Sequence, residues 1–263
     1  MDEEAMGKGG LEESGVGESG AEEGTIGGPL GRQPGSIRVR ERGVTVQTAA
    51  TDLPGCLTRP SPCRGLVIFA HGSGSSRFSR RNRFVANQLV EAGLATLLFD
   101  LLTAEEDGRE RQDPALRFET LRFDIPLLSR RLEGAIHWAI RQPELEGLSV
   151  GLFGASTGAA AAINAAVACS DHVAALVSRG GRPDLAFNAL PSVSCPTLLI
   201  VGGSDVDVLE LNIWAAAHLQ ARHHLEVVPG ATHLFEESGA LQRAAELARD
   251  WFLDNLGASP PRG

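Results

Sequence analysis

"LSVGLFGASTGAAAA", residues Leu148–Ala162, passes from an apolar run into a run of alanines by way of Gly154-Ala155-Ser156-Thr157-Gly158. Val150 to Phe153 reads as a buried strand and Thr157 to Cys169 as a helix of small side chains. A serine at that junction, with glycine two residues away on each side, sits on a sharp strand-to-helix turn. The turn would push the Ser156 hydroxyl out from the backbone, and the glycines would leave room where strand and helix crowd together. Glycines also make tight turns with no chemistry attached. The reading therefore depends on what the rest of the chain places beside Ser156.

The same alternation of elements extends in both directions. "SIRVRER" and "VTVQTAA" alternate apolar and polar residues, as an edge hairpin would. "GLVIFA" (65–70) and "ATLLFD" (95–100) are continuous apolar runs, with "RFVANQLVEAG" between them at helical spacing. A charged loop follows, then a helix over roughly Phe123–Arg141. Beyond the opening stretch come a strand at Val173–Ser178, a strand at Thr197–Gly202 and the helix "VLELNIWAAAHLQ". The strand "LEVVPG" and the closing amphipathic helix "GALQRAAELARDWFLDNLG" complete the series. Continuous apolar strands separated by helices predict an α/β fold: a mainly parallel sheet covered by helices on both faces, with an N-terminal edge hairpin.

Composition bounds the rest. Residues 1–35 carry eight acids against two bases, six of the nine net negative charges, with no apolar period. Such a segment cannot bury enough surface to offset its ordering entropy, so residues 1–35 are predicted to be a disordered tail. Residues 36–257 form the expected domain, and 258–263 a disordered C-terminus. The acidity belongs mostly to the tail, and nucleic acid is not an expected partner. No apolar stretch nears the ~20 residues that span a bilayer, and no secretory signal pattern is seen. Cys56, Cys63, Cys169 and Cys195 lack CxxC or zinc-ligand spacing. Reduced thiols, a cytoplasmic setting, no metal and no cofactor are the expectations.

In open sheets of this kind ligands sit beyond the carboxyl ends of the strands. After "GLVIFA" comes His71-Gly72-Ser73-Gly74, after Val150–Phe153 comes Ser156, after "TLLIVG" comes Asp205, and after "LEVV" comes His233. A serine hydroxyl needs a neighbouring base, imidazole has a suitable pKa, and a carboxylate fixes the imidazole tautomer. Asp207 is close enough to Asp205 to exchange roles with it. His137 and His218 fall within helices, His223 and His224 precede a strand, and His172 lies in a short link, so none of these follows a strand. The N–H groups of Thr157 and Ser73 are the candidate oxyanion-hole donors, and His71 reads as a brace for the second of them.

The chain order Ser…Asp…His and the G-x-S-x-G turn resemble those of the α/β-hydrolases. "LVIFAHGSGSS", "GLFGASTGAA", "TLLIVGGSD" and "PGATHLFEE" resemble the dienelactone hydrolase-like branch, over roughly Ser36 to Leu256. The resemblance implies hydrolysis of an ester or lactone through an acyl-enzyme, with Ser156 as nucleophile, Asp205 as acid and His233 as base. It departs at Ser156, where true dienelactone hydrolases carry cysteine, and this points away from dienelactone itself as substrate. Similar serine-bearing domains occur fused to a phosphoribosyltransferase domain, and no such second domain is read here.

Arg77, Arg80, Arg81 and Arg83 follow the glycine-rich loop, and Arg179 and Arg182 follow the strand ending at Ser178. Arg77 and Arg179 are the candidates for holding a carboxylate or phosphate on an anionic small-molecule substrate. "RGGRPDLAFNALPSVSCP" leaves room for only a minimal lid, and the loop from Leu102 to Leu121 is the better cover. Small soluble esters are thus expected, acted on by a monomer or homodimer. Two other functions compete: a non-catalytic module that keeps the pocket for a ligand or partner, and a phosphate cradle at "HGSGSSR". The latter lacks G-x-x-x-x-G-K-[ST].

Overall fold

The computed structural model describes residues 38–112 and 121–257. The tail expected at 1–35 and the C-terminus expected at 258–263 lie outside the described residues. Eight strands form one sheet in the order β1-β2-β4-β3-β5-β6-β7-β8. They are β1 (Arg38–Gln47), β2 (Asp52–Ser61), β3 (Leu66–Ala70), β4 (Ala95–Phe99), β5 (Val150–Ala155), β6 (Val173–Arg179), β7 (Thr197–Gly202) and β8 (His223–Val228). β1 and β2 are antiparallel, β2 joins β4 antiparallel, and β4 through β8 run parallel.

β3, β4, β5 and β7 are buried at every residue, as expected of strands covered on both faces. One face packs against α3 (Ile125–Ile140), α4 (Thr157–Ala168) and α5 (Val206–Ala216). The other packs against α1 (Arg80–Glu91) and α6 (Ala240–Asn255). On this second face Phe69 and Phe153 stack with ring centroids 4.8 Å apart beneath the loops that follow β3 and β5. Such a pair contributes about 1 kcal/mol beyond its buried area. α4 is buried nearly all round, and its alanines bring it close to β5 and to α3.

The edge hairpin exists with different strands. "SIRVRER" and "VTVQTAA" were expected to be its two arms. Instead Gly43 continues the chain within β1, opposite Cys56, and the partner is β2. The turn begins five residues further on, where Thr48 Oγ1 donates to the Thr51 carbonyl at 2.6 Å. β2 contains Pro54 and Pro60, which make "DLPGCLTRPS" read as loop. Both prolines fall outside the four residues, Gly55 to Thr58, that pair with β4, so their missing N–H groups do not interrupt that ladder.

The loop expected to cover the site from Leu102 to Leu121 holds a helix, α2 (Ala104–Gln112). Its start is a reciprocal cap: the Thr103 N–H donates to Glu106 and the Glu106 N–H to Thr103 Oγ1. Glu106 also receives two hydrogen bonds from buried Arg131 of α3, at 2.6 and 2.7 Å. Those bonds hold the Glu106 carboxyl below its ordinary value and fasten α2 to the core. The minimal lid after β6 is present as two short 3-10 turns, Pro183–Ala186 and Leu190–Ser192. Among the described residues no helix is long and apolar enough to cross a membrane.

Candidate active site

The chain passes from β3 to β4 on one side and then to β5 on the other, so β3 and β5 flank the point where the strand order reverses. The loops leaving their carboxyl ends carry His71–Ser76 and Ser156, in the crevice where such sheets bind ligands. Ala155, the last residue of β5, is level with Arg179 of β6, and Ala70 of β3 is level with Gly154.

Ser156 has φ 53° and ψ −123°, a left-handed conformation that costs a non-glycine residue on the order of 1–3 kcal/mol. Two glycines make this turn possible by absence of bulk. A methyl group on Gly154 would lie 2.5 Å from Ala159 Cα, and one on Gly158 would lie 2.2 Å from the Ala70 carbonyl oxygen. Ser156 occupies the capping position of α4, yet its side chain makes no capping bond. The hydroxyl instead faces His233, with Nε2 3.3 Å from Oγ. On the other side of the ring, Nδ1 is 2.7 Å from Asp205 Oδ2. Asp205 likewise stands at the head of a helix, α5, without capping it. Its competitor Asp207 is exposed in the first turn of that helix. The three residues expected from separate loops thus meet in one hydrogen-bonded line.

The loop that presents His233 is held by a residue the sequence reading overlooked. Glu237 accepts from the Thr232 N–H at 3.1 Å and from the Thr232 hydroxyl at 2.5 Å. These bonds, the hydroxyl's foremost, keep the Glu237 carboxyl below its ordinary value. The signal was available in "THLFEE", an acid four residues after the histidine. Phe235, buried and at φ 55°, turns the chain back into the core.

His71 braces as expected. The Leu101 N–H donates to its Nε2 at 3.0 Å, so that nitrogen is an acceptor and Nδ1 carries the proton it gives to the Gly72 carbonyl, also at 3.0 Å. The loop is thereby tied to the end of β4. Ser73 and Thr157, whose N–H groups were the candidate oxyanion donors, lie in contact with each other. The Ser73 N–H already donates to Thr157 Oγ1 at 2.9 Å. The threonine side chain therefore fixes the direction of that amide toward the head of α4, beside Ser156. Thr157→Val keeps the shape and removes the acceptor. It is expected to lower kcat about tenfold or more with little change in KM, while Thr157→Ser retains activity. Steady-state kinetics on a short-chain ester reads the difference.

A cavity of about 300 Å³ adjoins this loop, lined by Gly72 to Phe78, Leu101, Leu102, Ala104, Leu128 and Pro54, with Asp100, Thr103 and Asp107 as further polar members. Gly72 joins it to the serine, since a methyl there would come 3.0 Å from Ser156 Cβ. α2 forms part of its wall.

The two arginines proposed as anion holders are placed otherwise. Arg77 lines the cavity, but its guanidinium pairs with Asp100, which also accepts the Arg77 N–H at 2.7 Å. With Asp107 nearby, the cavity carries no excess positive charge. Arg179 is buried. Strand alternation puts its side chain on the α1 and α6 face, 5.9 Å from the Phe153 ring and 5.8 Å from that of Phe235. Its Nη2 lies 3.4 Å from Asn82 Oδ1, and among the described residues its Nε and Nη1 have no hydrogen-bond partner. Burial, aided by the charge of Arg81, pulls its pKa down to about 10. All four cysteines are free thiols, none of them at the turn that Ser156 occupies, and burial pushes Cys169 and Cys195 up to about 11. Among the described residues no group of three or more His, Cys, Asp or Glu could hold a metal ion.

Known proteins share this arrangement of elements. A crystal structure of a dienelactone hydrolase from Anabaena variabilis is 52% identical and has a TM-score of 0.79, covering 83% of this chain and 99% of its own. A further structure from Klebsiella pneumoniae, named as a dienelactone hydrolase, is 17% identical with a TM-score of 0.68, over 82% of this chain and 99% of its own, and shows the shared fold alone. A Mycobacterium tuberculosis (strain H37Rv) protein whose name suggests a phosphoribosyl transferase is 53% identical over 225 residues, 86% of this chain and 49% of that protein. The chain thus spans about half the length of the curated relatives it matches. The family model described as "Dienelactone hydrolase family" matches residues 53–257, from the second strand to the end of the last helix. Every strand-end loop of the site lies within that span, and the chain belongs to the dienelactone hydrolase family, a family of hydrolases.

Proposed function

We propose that the chain is a serine hydrolase that cleaves small, uncharged esters, lactones or related acyl compounds through an acyl-enzyme on Ser156. The observation that carries this reading is the line Ser156 Oγ–His233 Nε2–Asp205 Oδ2, with contacts of 3.3 and 2.7 Å. His233 Nε2 takes the hydroxyl proton as Oγ bonds to the carbonyl carbon. The carbonyl oxygen, now negative, is met by the N–H of Thr157 and, as a second branch of its bond to Thr157 Oγ1, by the N–H of Ser73. Asp205 holds the proton on Nδ1 and stabilises the imidazolium. His233 then gives the proton to the leaving oxygen as the carbon–oxygen bond breaks. In the second half a water loses its proton to His233, attacks the acyl carbon and releases the acid, and the proton returns to Oγ.

The cavity beside Gly72 supports a compact acyl group without charge, because its apolar wall is large and Arg77 is already neutralised by Asp100. Arg77 and Arg179 were expected to favour an anion when only their positions in the sequence were known. The phosphoribosyl transferase name belongs to proteins about twice as long as the aligned region. The residues that meet at Ser156 in this chain support acyl chemistry.

A fluorophosphonate probe tests the mechanism, and a nitrophenyl ester series tests the substrate class. The native protein is expected to be labelled and Ser156→Ala not. Acetyl and butyryl esters are expected to exceed dodecanoyl esters in kcat/KM by about tenfold or more, since a long chain gains little in a cavity of this size. Absence of labelling in folded protein would favour a binding module. A preference for the long chain would remove the substrate class.

A further inference from the structure

The two edges of the sheet differ. β1 presents Arg38, Arg40, Glu41 and Arg42 along its first half, charges that discourage addition of another strand. β8 has no Lys, Arg or Pro in its six residues, and it pairs with β7 without a bulge. The carbonyls of Arg222 and Val228 accept from Thr197 and Gly203 on the β7 side. By strand alternation, the N–H and C=O groups of His223, Leu225 and Val227 point away from the sheet. Among the described residues no strand lies beyond them.

We propose that β8 joins a second copy of this chain, the two strands pairing antiparallel about a two-fold axis at Leu225. In that register Leu225 exchanges both hydrogen bonds with its own copy, and His223 exchanges both with the partner's Val227. All six outward groups of each strand find partners. The residues between them face each other at the closer, non-hydrogen-bonded positions, which sets His224 against the partner's Glu226 twice. Within one chain His224 Nε2 already lies 2.9 Å from Glu226 Oε1. The dimer would therefore assemble two imidazoles and two carboxylates in alternation.

Neighbouring registers are worse. Centring on His223 sets Arg222 against the partner's His224. Centring on Val227 pairs Leu225 with the partner's Pro229, which has no N–H to give. On the opposite face of the strand, Leu225 meets its copy beside Val227, which is 41% exposed. α5 packs over that same face and leaves Ile213 and Trp214 exposed, at 53% and 40%. The isologous contact thus has an apolar side and a charge-complementary side.

Sedimentation velocity on the full chain, up to about 100 µM, tests this. The native chain is expected to sediment as a dimer. Glu226→Arg, which puts a cation against His224, is expected to weaken association at least about tenfold. The exchange His224→Glu with Glu226→His keeps the alternation and is expected to restore it. Circular dichroism and ester turnover should be unchanged in each variant, because none of these residues belongs to the active site. The test is therefore independent of the hydrolase reading. A native monomer throughout that range overturns the proposal, as does a dimer that Glu226→Arg leaves intact. A monomer whose His223, Leu225 and Val227 amides resist hydrogen exchange also overturns it, because another segment of the chain would then cover the edge.

Discussion

Ser156→Ala is expected to lower ester turnover by about 10⁴- to 10⁶-fold while leaving the protein folded. The two halves of that expectation come from the same geometry. The serine heads α4 but does not cap it, so no orphan N–H loses a partner when Oγ is removed. Its φ of 53° is equally strained for serine and alanine. The change in stability should therefore stay within about 1 kcal/mol. The rate is different, because in the proposed mechanism Oγ forms the covalent bond. Without it, only binding and the proposed oxyanion donors Ser73 and Thr157 would assist a water. A nitrophenyl acetate assay beside a thermal melt checks both halves. A variant that keeps a hundredth of native turnover would show that Ser156 is not the nucleophile.

The sequence made the parallel core legible because a strand buried on both faces has to be apolar at every position. β3, β4, β5 and β7 could be read for that reason. The antiparallel end was harder. β2 is half exposed and contains two prolines, and only its pairing with β1 reveals it as a strand. In the site, Ser156, Asp205 and His233 could be found because each lies in the loop that leaves the carboxyl end of a strand, so backbone topology alone brings them to one rim.

The arginines could not be placed by that logic. Position after a strand says where the Cα lies, but not what the long side chain meets. Parity would have helped with Arg179, since Ala175, Val177 and Arg179 share the face that packs against α1 and α6. Arg77 depended on Asp100, an acid at the end of another strand and 23 residues away. No local pattern connects the two. The brace at Glu237 was local and could have been read, yet a second-layer acid looks like any surface glutamate until the loop is seen.

Asp205→Asn is expected to lower kcat by about 10³- to 10⁴-fold, against less than about twofold for Asp207→Asn. The sequence left the two acids in competition, and the structure separates them by a contact. Asp205 Oδ2 is 2.7 Å from His233 Nδ1, and a carboxylate can only accept there. Nδ1 must then carry the proton, which leaves the Nε2 lone pair facing Ser156. An asparagine of the same shape can turn its amide and donate to Nδ1. The imidazole would answer by moving its proton to Nε2, where it could no longer take one from the serine. Asp207 has no such leverage. It is exposed in the first turn of α5, where it favours the helix dipole by about 0.3–1 kcal/mol. Its loss should therefore appear in a melt rather than in turnover. Protonated imidazole resonances in the two variants separate tautomer from stability. A downfield Nδ1–H signal should vanish in Asp205→Asn and survive in Asp207→Asn. The reverse pattern would transfer the supporting role to Asp207 and require the α5 entry loop to move before catalysis.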